Sequence, residues 1–312
     1  MLRIPIFVRI ALWAGGMDAR RTLPAFTRRP FRWSSEARAL RASGRTAPLG
    51  GQPTRDAASD NPTITDNRRG RPQVLLWADS FTDNFSPAIA RATVRVLADA
   101  GYDVLLPERD VCCGVTWITT GQVEGARKRL TETVREFSRY VDRGIPIVGI
   151  EPSCTAVLRS DLTELLSDSA EAAAVARSTF TLSELLTAPA PMGPADWQPP
   201  SLSGETFVVQ PHCHQHAVMG FDADRVLLAA TGATITEISG CCGLAGNFGM
   251  EKGHYDVSVA VAANGMLPAL RNAQPGSTLI ADGFSCRTQA SQLANTEGKH
   301  LAEVLAAALP EQ

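Results

Sequence analysis

Cysteine is absent from the first 111 residues of this chain, lysine from the first 72, and an apolar run long enough to cross a bilayer from all of it. Each absence removes a class of function. The opening 1-MLRIPIFVRIALW-13 is apolar but broken by Arg3, Pro5 and Arg9, so it is too short and too charged to be a transmembrane segment. It also lacks the continuous apolar centre and small-residue cleavage site of a secretory signal. With no export signal and an odd count of seven cysteines, a disulfide framework is disfavoured and a reducing, cytoplasmic setting is implied. Residues 1–72 carry 14 Arg against 5 Asp/Glu, a balance of +9 that leaves −11 for residues 73–312. The arginines are scattered and sit in no nucleic-acid-binding motif, so a nucleic-acid partner is not expected. Of a linker, a mitochondrial presequence and an amphipathic surface anchor, the linker is the favoured reading of 1–72, with peripheral membrane association left open. From about Ser43 to Arg71 the composition reads as disordered.

The rest is ordinary globular protein: 44% hydrophobic residues, 20% charged and a net charge of −2, in a chain long enough to bury a core. From Gln73 onward, short apolar runs alternate with longer amphipathic segments. In one half the strands are 73-QVLLWAD-79, 102-YDVLLP-107 and 146-PIVGIEP-152, with helices over roughly 86–100 and 121–143. In the other they are 206-TFVVQPH-212, 233-ATITEIS-239 and 277-STLIADG-283, with helices near 220–231, 252–272 and 299–309. Short continuous apolar runs joined by helices indicate parallel strands buried on both faces. The expected fold is therefore α/β, with two pseudo-repeated halves over 73–190 and 191–312 and flanking helices.

Each cysteine follows the carboxyl end of an expected strand, where ligands collect in open α/β sheets. One half offers Cys112, Cys113 and Cys154, and has 79-DSFT-82 where the other has a further thiol; that other half offers Cys213, Cys241, Cys242 and Cys286. Adjacent cysteines do not pair with each other, because neighbouring Cα atoms are roughly 3.8 Å apart, below the usual disulfide range. Zinc sites prefer knuckles with two to four residues between their cysteines, whereas neighbouring thiolates suit neighbouring metals of a polynuclear cluster. Thiolate count and softness thus favour iron–sulfur over structural zinc. The glycines of 243-GLAG-246, Gly243 and Gly246, let backbone N–H groups and a bulky cofactor approach the sulfurs.

The two Cys-Cys-Gly halves resemble the cysteine-rich domain shared by the B subunit of heterodisulfide reductase and the iron–sulfur subunit of glycolate oxidase. Closer still, 146-PIVGIEPSC-154, 211-PHCHQHAV-218, 240-GCCGLAGNFGMEKGHYDVS-258 and 283-GFSCRTQ-289 resemble the C-terminal part of fused FAD and iron–sulfur oxidoreductases of D-2-hydroxy acids such as D-lactate or glycolate. The resemblance covers about 73–310. It implies a [4Fe-4S]-type cluster and metal ligation by the cysteines. In the heterodisulfide reductase pattern such motifs bind non-cubane clusters and each half ends in C-x-x-C; here Thr155–Val157 and Arg287–Gln289 supply no such cysteine. One cluster held mainly by Cys213, Cys241, Cys242 and Cys286 is the expectation. Neither a C-x₂-C-x₂-C-x₃-C-P ferredoxin run nor a glycine-rich flavin-binding domain is present. In the fused family these lie upstream, and 17-MDARRTLPAFTRRPFRW-33 resembles the segment that follows them. The expectation is a detached or truncated C-terminal module, with FAD on a partner flavoprotein dehydrogenase and a ferredoxin-type protein as a further partner.

Among the remaining candidates, His214 is assigned as a hydrogen-bond donor or ligand to the cluster and Phe248 as a cover that excludes water. Glu151 is balanced between proton acceptor and helix cap; Trp117 reads as core, and His254 and His300 as ordinary surface or helix residues. Cys112, Cys113 and Cys154 are balanced between ligands and a well-packed relic of duplication. The reading is an oxidoreductase component that carries electrons from flavin toward a quinone or other carrier at the inner face of the membrane. The alternatives are a component of a thiol–disulfide reductase and a zinc-stabilised remnant.

Overall fold

The computed structural model describes residues 15–46, 71–194 and 196–311. The opening segment 1–13 and most of the stretch read as disordered, 47–70, lie outside the described residues. The chain divides into two compact units. One is built from Phe26–Ser203, His214–Gly232 and Ala302–Gln312; the other from the residues up to Ala25 together with Gly204–Cys213 and Ala233–Leu301.

The first unit is organised on a parallel sheet of order β2-β1-β3-β4, where β1 is Gln73–Trp77, β2 Asp103–Leu105, β3 Ile147–Gly149 and β4 Thr179–Phe180. Leu75 sits opposite Leu105 on one side and Ile147 on the other, and Trp77 opposite Gly149. Every residue of β1 is buried, as expected of an apolar run at the centre of a parallel sheet. Trp77 packs edge-on against Phe137 of the helix Val123–Val141, with ring centroids 5.7 Å apart. The second unit repeats the plan in the order β6-β5-β7-β8, where β5 is Thr206–Val209, β6 Thr234–Glu237, β7 Thr278–Ile280 and β8 Gly298–Lys299. All its pairings are also parallel. Two parallel four-stranded sheets with flanking helices make this an α/β protein, and the α/β expectation holds.

The differences are local. Each sheet has a fourth strand of only two residues, β4 and β8, too short to leave a hydropathy signal. The edge strand β6 is largely exposed rather than buried on both faces. The helix expected over 252–272 is two helices, Tyr255–Ala262 and Met266–Arg271, parted at Gly265, which sits against the Ser239 carbonyl. Within the basic N-terminal stretch, several of residues 15–44 are buried. Phe31 is buried in the first unit, Arg32 pairs with the buried Asp83, and the helix Ser35–Thr46 follows. In the second unit Met17 bridges to Glu251 and Arg21 is buried. Among the described residues, no helix is long and apolar enough to cross a membrane.

Candidate metal centre

In the second unit, all four cysteines lie just beyond strand ends. Cys213 follows β5, Cys241 and Cys242 follow β6, and Cys286 is the third residue of the helix Phe284–Ala294 after β7. The sulfur of Cys241 is within hydrogen-bonding reach of Cys213 and Cys242, and Cys242 within reach of Cys286. Four thiols therefore form one contiguous chain. Cys242 and Cys286 are buried in an apolar cluster with Val208, Leu244, Met266 and Leu279, while Cys213 is exposed.

The Cys-Cys-Gly turn explains why two cysteines stand together. The amide of Gly243 donates to Cys241 Sγ (3.3 Å), and that of Leu244 donates to Cys242. In the first unit, the Gly114 amide donates to Cys112 Sγ (3.4 Å) and the Val115 amide to Cys113. In both copies each sulfur accepts an N–H from the residue two positions on. This needs a left-handed glycine, and Gly243 (φ +86°) and Gly114 (φ +77°) both supply it. At Gly243 space is also short, since a Cβ there would lie 2.2 Å from the Ser258 carbonyl oxygen.

Around these shared turns the two thiol sets differ in charge. In the second unit, hydrogen bonds from Cys213 and Cys242, helped by the Gly243 amide and His212, hold Cys241 far below the usual thiol range. Cys242 is raised, because its proton bridges to Cys241 and Cys286 and its site is dry. Charging the whole set therefore requires cations among the sulfurs. In the first unit all three thiols are raised. Cys112 is raised by its hydrogen bond with Cys113, and Cys113 by burial. Cys154 is drawn down by its hydrogen bond with Cys113, but burial and the charges of Asp79 and Glu151 outweigh this and leave it pushed up to about 12. Asp79 is fully buried and its carboxyl is raised by desolvation. It caps the helix Ser80–Phe85, accepting from the amides of Phe81 (2.8 Å) and Thr82 (3.1 Å) and the Thr82 hydroxyl (2.7 Å). Its oxygens are committed to the cap. Ser80, in the stretch 79–82 where this half has no cysteine, hydrogen-bonds Cys112.

Residues 79–159, which hold this first thiol set, match the family model of the CCG cysteine-rich domain. Curated relatives extend the likeness over three quarters or more of the chain. The chain is 24% identical over 269 residues to "D-2-hydroxyglutarate dehydrogenase" of Pantoea ananatis (strain AJ13355), covering 82% of this chain and 24% of that protein. It is 26% identical to the C subunit of "Anaerobic glycerol-3-phosphate dehydrogenase" from Escherichia coli (strain K12), over 76% of this chain and 59% of that protein. It is 25% identical to "Lactate utilization protein A" of Bacillus velezensis (strain DSM 23117 / BGSC 10A6 / LMG 26770 / FZB42), over 75% of this chain and 98% of the relative. The chain thus spans about a quarter of the first of these relatives and less than two thirds of the second.

Around the second CCG turn, the other sequence-derived candidates take definite places. Buried His212 lies with a ring nitrogen within 4.8 Å of the Cys213 sulfur, and its Nε2 meets Ser285 Oγ at 3.3 Å. The exposed His214 opens the segment 214–232, which belongs to the first unit. Gly246 takes a left-handed conformation in the loop after Cys242. Phe248 is 38% exposed and stacks on His254, with ring centroids 4.2 Å apart. In the first unit, buried Glu151 precedes the helix Pro152–Arg159 without capping it through its side chain and accepts from Ser153 Oγ at 3.0 Å. Trp117 is partly exposed beneath Arg129. His300 corrects the surface reading: it is buried, with Nδ1 3.5 Å from Asp282 Oδ1. Sequence reasoning missed Arg21, Ser258 and Gln289, which form a buried hydrogen-bonded group in the second unit. Their sequence signals were the Arg-Arg pair of 17-MDARRT-22 and the ends of the motifs 240–258 and 283–289.

Proposed function

We infer that the chain is an iron–sulfur electron-transfer module of a flavin-linked oxidoreductase acting on a D-2-hydroxy acid. The observation that carries this reading is the contrast between the two thiol sets. Four contiguous thiols in the second unit have His212 and Arg21 nearby, whereas the three in the first unit have the buried carboxylates Asp79 and Glu151. A donor set of soft thiolates with N–H groups aimed at two of them fits an iron–sulfur cluster. The names of the relatives, dehydrogenases and a lactate utilization protein, support the oxidoreductase class.

Cys213, Cys241, Cys242 and Cys286 would hold the cluster, with Cys112, Cys113 and Cys154 a secondary set. When bound, a cluster supplies one-electron uptake and release. The chain's own residues set the conditions for that chemistry. The Gly243 and Leu244 amides favour charged sulfur, the buried Cys242 and Cys286 keep water from one side, and the exposed Cys213 marks the side open to a redox partner. His212 packs against the start of the helix that carries Cys286 and fixes that helix beside β5. No general base or nucleophile is needed. The partners are a flavoprotein dehydrogenase that carries FAD and a ferredoxin-type iron–sulfur protein, with a quinone or similar carrier downstream and a cytoplasmic location at the inner face of the membrane. The two repeated halves, 73–190 and 191–312, descend from one duplicated CCG unit.

The test is anaerobic purification followed by iron, acid-labile sulfide and zinc analysis, with EPR before and after dithionite. About four irons and four sulfides per chain, lost in Cys241→Ser and Cys242→Ser but kept in Cys112→Ser, is the expected result. Zinc without iron after anaerobic handling and attempted reconstitution would overturn it.

A further inference from the structure

Arg21 carries a charge into the interior of the second unit and, among the described residues, pairs directly with no carboxylate. It is only 4% exposed. Its Nε donates to the Gly249 carbonyl (2.7 Å), one terminal nitrogen to Gln289 Oε1 (2.8 Å) and Gln292 Oε1 (3.3 Å), and the other to Ser258 Oγ (2.7 Å). Its guanidinium carbon also lies 4.7 Å from the centre of the Tyr255 ring. All of these partners are neutral, and among the described residues Arg21 forms no ion pair. A buried guanidinium with neutral partners only is costly unless a negative charge lies close by.

The partners show where that charge is. Gly249 closes the loop that begins at Cys241, Cys242 and Gly243. Ser258 presents its carbonyl to Gly243, so closely that a Cβ could not fit between them. Gln289 stands three residues after Cys286 on the same helix and also donates to Ser258 Oγ (3.0 Å). One guanidinium therefore ties together the segments that carry three of the four thiols. The neighbouring Arg20 is occupied elsewhere, by Asp18 and Asp256. The Asp18 carboxylate, already paired with Arg20, and the Cys242 sulfur both lie within electrostatic range of Arg21.

We propose that Arg21 is a positioning residue whose buried positive charge offsets the negative charge of the thiolate set and holds the reduction potential of its cluster up. This rests on the reading that Cys213, Cys241, Cys242 and Cys286 bind an iron–sulfur cluster. Reduction adds one electron, and hence one negative charge, to a site facing this cation. Removing the cation disfavours the reduced form by roughly tenfold, which for one electron is about 59 mV.

The experiment is an EPR-monitored redox titration of the full chain with its cluster, in wild type, Arg21→Gln and Arg21→Lys, with iron and sulfide content measured on each. The expected result is normal iron and sulfide with a lower midpoint potential in Arg21→Gln and a potential near wild type in Arg21→Lys. Loss of the cluster in Arg21→Gln but not in Arg21→Lys equally supports the proposal, because the charge is then what the anionic site requires. An unchanged potential in Arg21→Gln, or equal loss of cluster in both variants, overturns it and leaves Arg21 a structural peg. A wild type without iron instead sinks the cluster reading on which the proposal stands.

Discussion

Alanine at the two Cys-Cys-Gly glycines isolates the effect of the turn from that of its surroundings. Gly114 and Gly243 share a left-handed backbone, φ +77° and +86°, so alanine at either brings the same conformational penalty of about 1–2 kcal/mol. Their surroundings differ. A Cβ at Gly114 would meet its nearest neighbours, Ala126 and Arg129, at 3.5 Å, ordinary contact distance. A Cβ at Gly243 would lie 2.2 Å from the Ser258 carbonyl oxygen and 3.0 Å from the Ala262 amide, both backbone atoms that move only with their helix. That overlap adds about 1–3 kcal/mol. Gly114→Ala should therefore lose about 1–2 kcal/mol and Gly243→Ala about 2–5 kcal/mol. Native-state amide hydrogen exchange reads each turn separately. At about 1.4 kcal/mol per tenfold, protection near 110–130 should fall roughly five- to thirtyfold in Gly114→Ala. Protection near 240–262 should fall roughly thirtyfold or more in Gly243→Ala. Equal losses in the two variants would refute the claim that helix Tyr255–Ala262 is seated against the second turn.

Two further perturbations test the surroundings of the second thiol set. A Cβ at Gly283 would sit 2.1 Å from Cδ2 of the buried His212, so Gly283→Ala should destabilise by about 1–3 kcal/mol. Most of that loss should disappear in a His212→Ala background, and urea unfolding of the four proteins of this cycle would expose the error if the two changes simply added. Asp18 accepts hydrogen bonds from the Arg20 side chain and amide, which hold its carboxyl down from 3.8 to about 2. A depressed carboxyl contributes stability above its ordinary pKa and loses it as pH falls through the depressed one. Wild type should thus melt above Asp18→Asn at about pH 6, with the gap narrowing below pH 4 and closing near pH 2; a gap independent of pH would contradict this assignment.

The sequence made the sheets and thiols legible because both are locally encoded. Apolar runs such as 73-QVLLW-77 announce a buried strand by themselves, and a cysteine a few residues past each run falls at its carboxyl end wherever the sheet goes. What stayed hidden depends on distant partners. Arg21 looks like any member of a basic stretch until the chain returns 228 and 268 residues later with Gly249 and Gln289. His300 looks like a helix-end residue until Asp282 meets it inside the second unit. The break before Met266 falls on Asn264–Gly265, a turn dipeptide that the apolar run on either side of it outweighs in the reading of 252–272 as one helix. The strands β4 and β8 are two residues long, below the reach of any alternation.

The sulfurs of both Cys-Cys-Gly turns take their donors from the peptide backbone, at Gly114 and Val115 in one copy and Gly243 and Leu244 in the other. A donor of this kind has no side chain to mutate away. The N–H at 115 and 244 survives any exchange of one apolar residue for another there, as the Val and Leu now standing in these packed positions illustrate. Proline alone deletes the N–H. The chemistry that the turn imposes on sulfur is thereby separated from the identity of its outer residues, and either copy can change its surroundings, one toward carboxylates and the other toward a cation, while its core turn stays intact.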